Sequence, residues 1–283
     1  MQPVVLAQHR VAPFKGMAEQ RYETYTSEDQ EVWRLLYARM AQVQPGKAAT
    51  AYLKAIPRVG FQPDAIPDFE ALSLRLRRLT GWEVVPVEGI IDPAPFFRLL
   101  EQRIFPAGYW IRSLAQLDYL EEPDLFHDVF GHVPLLSEPA FADFFQGFGE
   151  LGARYADHPF ITELMARLYW FTVEFGLIQE PEGLRIYGAG ILSSSGEIEY
   201  CLGPVPTRVP FDLQTVLKTP FRKDTFQTTY FAIQDYRTLY NCLPELVRIL
   251  AAVEEHSRAH LAQAVAPEAV AGVATRLLEA SLN

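Results

Sequence analysis

Apolar residues recur at helical spacing over much of the chain. Ser27, followed by Glu28 and Asp29, reads as a helix start, and apolar positions continue over residues 32–43. Pro67 and Asp68 open a second run through Leu72, Leu74 and Leu76 toward Leu79, and residues 96–103 repeat the pattern. The strongest periodicity lies in residues 163–178, where Leu164, Leu168, Phe171 and Phe175 fall at i, i+4, i+7 and i+11. Residues 211–217 and the long stretch 226–250 read as further helices, and an alanine-rich amphipathic tail from Ala262 ends in residues 273–282. Residues 84–95 instead suggest a short strand and a loop, while Gly188, Gly190 and Ser193 interrupt residues 186–192. The pattern predicts a mainly α fold: an irregular arm over residues 1–25, then one domain of packed helices with a few short β-strands over residues 26–283.

At 283 residues, with 49 % apolar and 21 % charged side chains, the chain can bury a substantial core. Its formal charge of −10 and the lack of a basic run argue against nucleic acid or an anionic membrane as partner. Cys201 and Cys242 are too few for a disulfide framework and form no CxxC pair, so reduced thiols are expected. The N-terminus shows no signal-peptide pattern, and a cytoplasmic protein is expected.

Of the six histidines, His9, His158, His256 and His260 read as surface residues. His127 and His132 differ, standing in an apolar stretch punctuated by Gly131 and Pro134. Five residues on an α-helix amount to about 140° of rotation, so the imidazoles converge only if the helix stops or distorts near Gly131. The plain alternative is two core histidines satisfied by backbone carbonyls. Glu174, alone in an apolar segment, needs a cation or an arginine partner. Two histidines and a carboxylate form the facial triad of non-haem iron(II) oxygenases, and the same donors also serve hydrolytic zinc.

Three segments carry a resemblance: residues 117–136 around His127-Asp128-Val-Phe-Gly-His132, residues 168–177 around Glu174, and Ile186-Tyr-Gly-Ala-Gly-Ile-Leu-Ser193-Ser. In this order they resemble the pterin-dependent aromatic amino-acid hydroxylases, most closely the bacterial phenylalanine 4-hydroxylases, from about residue 33 to about residue 239. The resemblance implies that fold as a single catalytic domain, with Fe(II) held by His127, His132 and Glu174. It implies a tetrahydropterin, such as tetrahydrobiopterin, stacked on Phe96, lined by Ile91 and Pro93, and faced by Asp128, Ala166 and Tyr169. It makes Arg112 the clamp for the amino-acid carboxylate with Ser193 alongside, and Pro123, His127, Trp170, Phe175 and Gly190 the walls of the aromatic pocket.

The implied reaction is hydroxylation of L-phenylalanine to L-tyrosine with O2, the pterin supplying two electrons and taking one oxygen atom. Trp170 fits phenylalanine or tyrosine, since tryptophan hydroxylases usually carry phenylalanine there. Lys223 stands where phenylalanine hydroxylases have Ile or Val, making it a specificity candidate unless it points outward or pairs with Asp224. Pro93 replaces a serine of animal relatives. Those relatives also have a regulatory domain and a tetramer-forming helix; the short arm and the lack of heptads here predict a monomer without phenylalanine-driven activation. The same chemistry on tyrosine or tryptophan, a zinc hydrolase with Asp128 as general base, and a silent binding protein are the alternatives.

Overall fold

The computed structural model describes residues 14–118, 120, 122–261 and 266–282. Its early helices start where side chains satisfy free backbone N–H groups. α1 (Ser27–Val43) is capped one residue earlier than its sequence suggests: the Thr26 hydroxyl accepts the Asp29 N–H, and the Asp29 carboxylate accepts the Thr26 N–H. α2 (Thr50–Val59) tolerates Pro57 near its end, and α3 (Phe69–Leu79) is capped by Asp68. Between β1 (Glu83–Val87) and its parallel partner β2 (Ile104–Gly108) runs α4 (Pro93–Glu101), which starts earlier than expected because Pro93 suits a first helical turn.

α5 (Pro139–Arg154) and α6 (Pro159–Tyr169) follow, then the antiparallel hairpin β3 (Leu177–Glu180) and β4 (Gly183–Ile186). The short α7 (Ala189–Leu192) and α8 (Ser195–Leu202) lead to β5 (Thr207–Pro210), α9 (Leu213–Lys218) and β6 (Thr229–Ile233). β3, β6 and β5 pair in parallel, completing a sheet of order β4-β3-β6-β5. α10 (Tyr236–Leu261) and α11 (Pro267–Leu282) close the fold, which is mainly helical as the periodicity predicts.

Two helical expectations fail at their ends. Residues 163–178 are not one helix: α6 starts at Pro159, leaves the α repeat after Tyr169 and stops at Glu174, with strand from Leu177. Residues 226–250 contain β6, because Thr229, Tyr230 and Phe231 favour a pleated, paired backbone; only from Tyr236 is the stretch helical. The arm, described from Phe14, lies against the body rather than apart from it. The Tyr22 hydroxyl donates to Ile66 O at 2.8 Å and Gln20 Nε2 to Pro67 O at 3.0 Å.

Packing anchors the elements that carry the candidate site. Trp33 of α1 stands edge-on to Phe126 at 5.4 Å, and Phe126 stacks on Phe130 at 4.6 Å. Each fully buried ring of this kind stabilises the fold by roughly 1.5–3 kcal/mol. On the opposite side, Phe145 and Phe148 of α5 pack at 6.1 and 6.0 Å from Tyr169. Arg167, buried in α6, donates to Leu217 O of α9 and to Ala271 O and Thr275 Oγ1 of α11, tying three helices together.

Candidate active site

The distortion that the histidine spacing requires is a π turn. Residues Phe126–His132 follow the wider π repeat, in which residues five apart share a face, and a 3-10 turn over Val133–Ser137 ends it. A side chain at Gly131 would meet Ala189 O at 2.9 Å, so only glycine lets this segment press against α7. The Tyr52 hydroxyl donates to Phe130 O at 2.7 Å, and Asp124 accepts the His127 N–H at 3.0 Å, satisfying groups at the edges of the turn.

The segment bearing Glu174 widens in the same way. Trp170–Glu174 is a π turn closed by the Phe175 N–H on Trp170 O at 2.9 Å, and it carries the carboxylate across to the histidines. His132 Nε2 lies 3.2 Å from Glu174 Oε1, and His127 Nε2 lies 3.6 Å from Glu174 Oε2. One donor atom from each residue falls within 4.8 Å of the others, a grouping that fits one metal ion. Among the described residues no arginine pairs with Glu174.

Neighbouring groups prepare these donors. The Ser193 hydroxyl donates to Ala189 O at 2.9 Å and so accepts from His127 Nδ1, 3.0 Å away. That places the proton on Nδ1 and leaves the Nε2 lone pair toward Glu174. Burial alone would raise the Glu174 carboxyl, but the two imidazoles and the Tyr169 hydroxyl outweigh it and hold it near 2. Burial likewise opposes protonation of His132, and Glu174 overcomes it, raising that pKa. A cation among the three would supply the charge that the imidazolium otherwise provides.

Two of the expected pterin residues, Phe96 and Tyr169, connect by ring contacts to this cluster. Phe96 meets Tyr169 edge-on at 5.7 Å, and Tyr169 stacks over His132 at 6.2 Å. Ile91 packs on the small core of Val85, Leu99 and Ile104, and Pro93 is exposed at the start of α4. The Asp128 carboxylate accepts the Gly108 N–H at 2.7 Å, and burial raises its pKa. Ala166, one turn before Tyr169, lines a shallow recess with Thr162, Glu163 and Val270 and is not drawn into the cluster.

Among the substrate candidates, Arg112 is buried and forms two parallel bonds to Asp124, Nε to Oδ2 at 2.8 Å and Nη2 to Oδ1 at 2.9 Å. Its Nη1 lies outside that pair. Pro123 is half-buried beside Asp124. Ser193 is engaged with His127, and no hydrogen bond joins it to Arg112 among the described residues. Trp170 packs against Phe175, tilted, and Phe221, stacked, both at 4.6 Å, and a side chain at Gly190 would meet Phe175 Cζ at 2.9 Å. Lys223 is exposed, and Asp224 pairs with Arg222 instead.

Sequence reasoning missed Asp124, fully buried as the partner of Arg112, although its place three residues before His127 is a capping signal. It also missed Gln227, which accepts the Trp170 indole N–H at 2.9 Å; no local pattern reveals that contact. The surface reading of His158 is overturned. Its Nδ1 accepts the Ile161 N–H to cap α6 and its Nε2 meets Ser257 Oγ at 2.7 Å, so the ring is buried and its pKa lowered. His256 is exposed as expected, and His9 lies outside the described residues. Both cysteines are buried and free.

Comparison with known proteins agrees with this geometry. Residues 10–253 match the family described as biopterin-dependent aromatic amino acid hydroxylase. The phenylalanine-4-hydroxylase of Chromobacterium violaceum is 46 % identical over 223 residues, 78 % of this chain and 75 % of the relative. That of Caulobacter vibrioides is 47 % identical over 222 residues, again 78 % and 75 %. A crystal structure of the Chromobacterium violaceum enzyme with iron(III) and 7,8-dihydrobiopterin superposes with a TM-score of 0.78. The two are 44 % identical, covering 83 % of this chain and 87 % of that one.

Proposed function

The chain belongs to the biopterin-dependent aromatic amino acid hydroxylase family, and we propose that it hydroxylates L-phenylalanine to L-tyrosine with O2. The observation that carries this reading is the convergence of His127, His132 and Glu174 within 4.8 Å, beside an aromatic cluster and a half-buried Phe96. Two neutral imidazole nitrogens and one carboxylate suit Fe(II) and leave the remaining coordination positions to small molecules. Iron and tetrahydropterin, when bound, would supply the O2 chemistry, with the two electrons coming from the pterin.

The chain's own residues bind, orient and exclude water. The Ser193 hydroxyl keeps the His127 proton on Nδ1, and Tyr169 donates to Glu174, so each donor presents a lone pair inward. Phe96 offers an aromatic face to the pterin ring, with Ile91, Pro93 and Asp128 around it. Arg112, its fork held by buried Asp124, turns Nη1 to the substrate carboxylate, while Pro123, Trp170, Phe175 and Gly190 hold the ring.

The enzyme is further proposed to be a cytoplasmic monomer. The apolar face of α11, with Val273, Ala274, Leu277 and Leu278, is buried within its own chain, and no described helix is long and apolar enough to cross a membrane.

Iron-reconstituted protein supplied with tetrahydropterin, O2 and each aromatic amino acid in turn tests the reading, with products identified by mass and position. Tyrosine formed from phenylalanine with oxygen uptake supports it. Hydrolysis with zinc and no oxygen uptake would overturn it.

A further inference from the structure

Residues 219–228 form no regular structure, and Gln227 is the only buried residue among them. Its amide is fully committed. Oε1 accepts the Trp170 indole N–H at 2.9 Å, and Nε2 donates to Arg222 O at 3.0 Å and Thr225 O at 3.2 Å. One side chain therefore closes the loop on itself and pins it to the indole.

That indole is carried by the same π turn as Glu174. Trp170 opens the π turn that ends in Glu174, and its ring packs against Phe175, the residue after Glu174, and against Phe221, carried by the same loop. Phe221 stacks on it at 23° to parallel. Two of the three slabs thus depend on Gln227: Trp170 through its N–H, Phe221 through the loop.

We propose that Gln227 is a positioning residue that sets which aromatic ring the site accepts. This rests on the reading of the site as an aromatic amino-acid hydroxylase. Without the amide oxygen the half-buried indole N–H loses its protein acceptor, and the ring turns to find another. Without the amide donors the loop loosens and the Phe221 slab drifts. Hydroxylation needs one ring carbon at a fixed place, so a shift of the wall alters discrimination between rings more than it alters iron or pterin binding.

Gln227→Leu removes both functions at similar volume, whereas Gln227→Glu keeps an acceptor for the indole and loses both donors. In the iron-loaded enzyme with tetrahydropterin, Gln227→Leu is expected to lower kcat/KM for phenylalanine about tenfold, chiefly through KM. Its preference for phenylalanine over tryptophan should fall by a similar factor, with iron content and pterin KM like the parent's. Gln227→Glu, which keeps the indole acceptor but loosens the loop, should lose part of the preference, less than Gln227→Leu. Both variants should be cut faster by trypsin after Arg222 and Lys223, which are exposed in the loop.

An unchanged phenylalanine-to-tryptophan ratio in Gln227→Leu overturns the proposal, as does an equal loss on both substrates. Should that variant fail to fold, Gln227→Glu decides by trypsin cleavage: a parent-like rate overturns the clasp. A parent enzyme inactive on every aromatic amino acid would instead sink the functional reading, and the trypsin comparison would still report on the clasp.

Discussion

His132 Nε2 stands 3.2 Å from Glu174 Oε1, and the two residues end separate segments that each trade the α repeat for a π turn. The triad is thus made by backbone widening at two places. Each turn is braced from behind by aromatic packing, Phe126 and Phe130 for one and Phe171 against Phe231 for the other. Side chains on rigid, packed elements hold a metal with little reorganisation.

The Ser193 hydroxyl touches no metal, yet it fixes which nitrogen of His127 is free. Ser193→Ala removes the acceptor for Nδ1–H while leaving all three donors. Iron affinity is expected to fall roughly 10–100-fold, the range for lost outer partners of metal ligands. Titrating chelator-stripped protein with Fe(II) under anaerobic conditions measures it, and Ser193→Thr should recover most of the loss.

Arg112 and Asp124 form a buried pair with parallel bonds, and Asp124 also accepts the Arg112 and His127 N–H groups. Asp124→Asn therefore reaches the substrate clamp and the metal segment together. Breaking such a pair costs about 3–5 kcal/mol. The expected outcome is a lower unfolding midpoint in urea and a raised KM for phenylalanine. Arg112→Lys should raise that KM too, because an ammonium cannot hold Asp124 and a substrate carboxylate in one planar fork.

Much of this site was legible in the chain. His127, His132 and Glu174 stood out because polar ligands in apolar runs need a partner, and five-residue spacing demanded a local distortion. The kind of distortion was not legible, since a π turn differs from a helix end only through contacts such as Gly131 against Ala189. β6 was hidden because Tyr230 and Phe231 suit a helix face as well as a strand; pairing with β3 and β5 decides it. Gln227 was invisible as a site residue because its partner lies 57 positions away, and the capping place of Asp124 gives no sign of its pair with Arg112, 12 positions away.

Lys223 is exposed. Lys223→Ile should therefore leave the relative turnover of phenylalanine, tyrosine and tryptophan within about twofold of the parent, as expected for a surface substitution. A changed ranking in a competition assay with all three amino acids would restore Lys223 as a specificity determinant.

Glu197 offers a pH signature away from the metal. Its side chain is buried, it accepts the Tyr230 hydroxyl at 2.7 Å, and burial pushes its pKa up from 4.5 to about 7 despite that bond. Between those two values the folded chain keeps a proton that the unfolded chain has released. Stability from this group is therefore full below about pH 4.5, falls as pH rises, and levels off above about pH 7. The fall amounts to about 3 kcal/mol at most, from about 1.4 kcal/mol per pH unit. Glu197→Gln keeps an acceptor for Tyr230 and carries no titrating proton, so it should gain stability relative to the parent as pH rises from 5 to 8. Urea unfolding of chelator-treated parent and variant across that range measures the difference. A constant gap between the two curves would show that Glu197 titrates alike in the folded and unfolded chains.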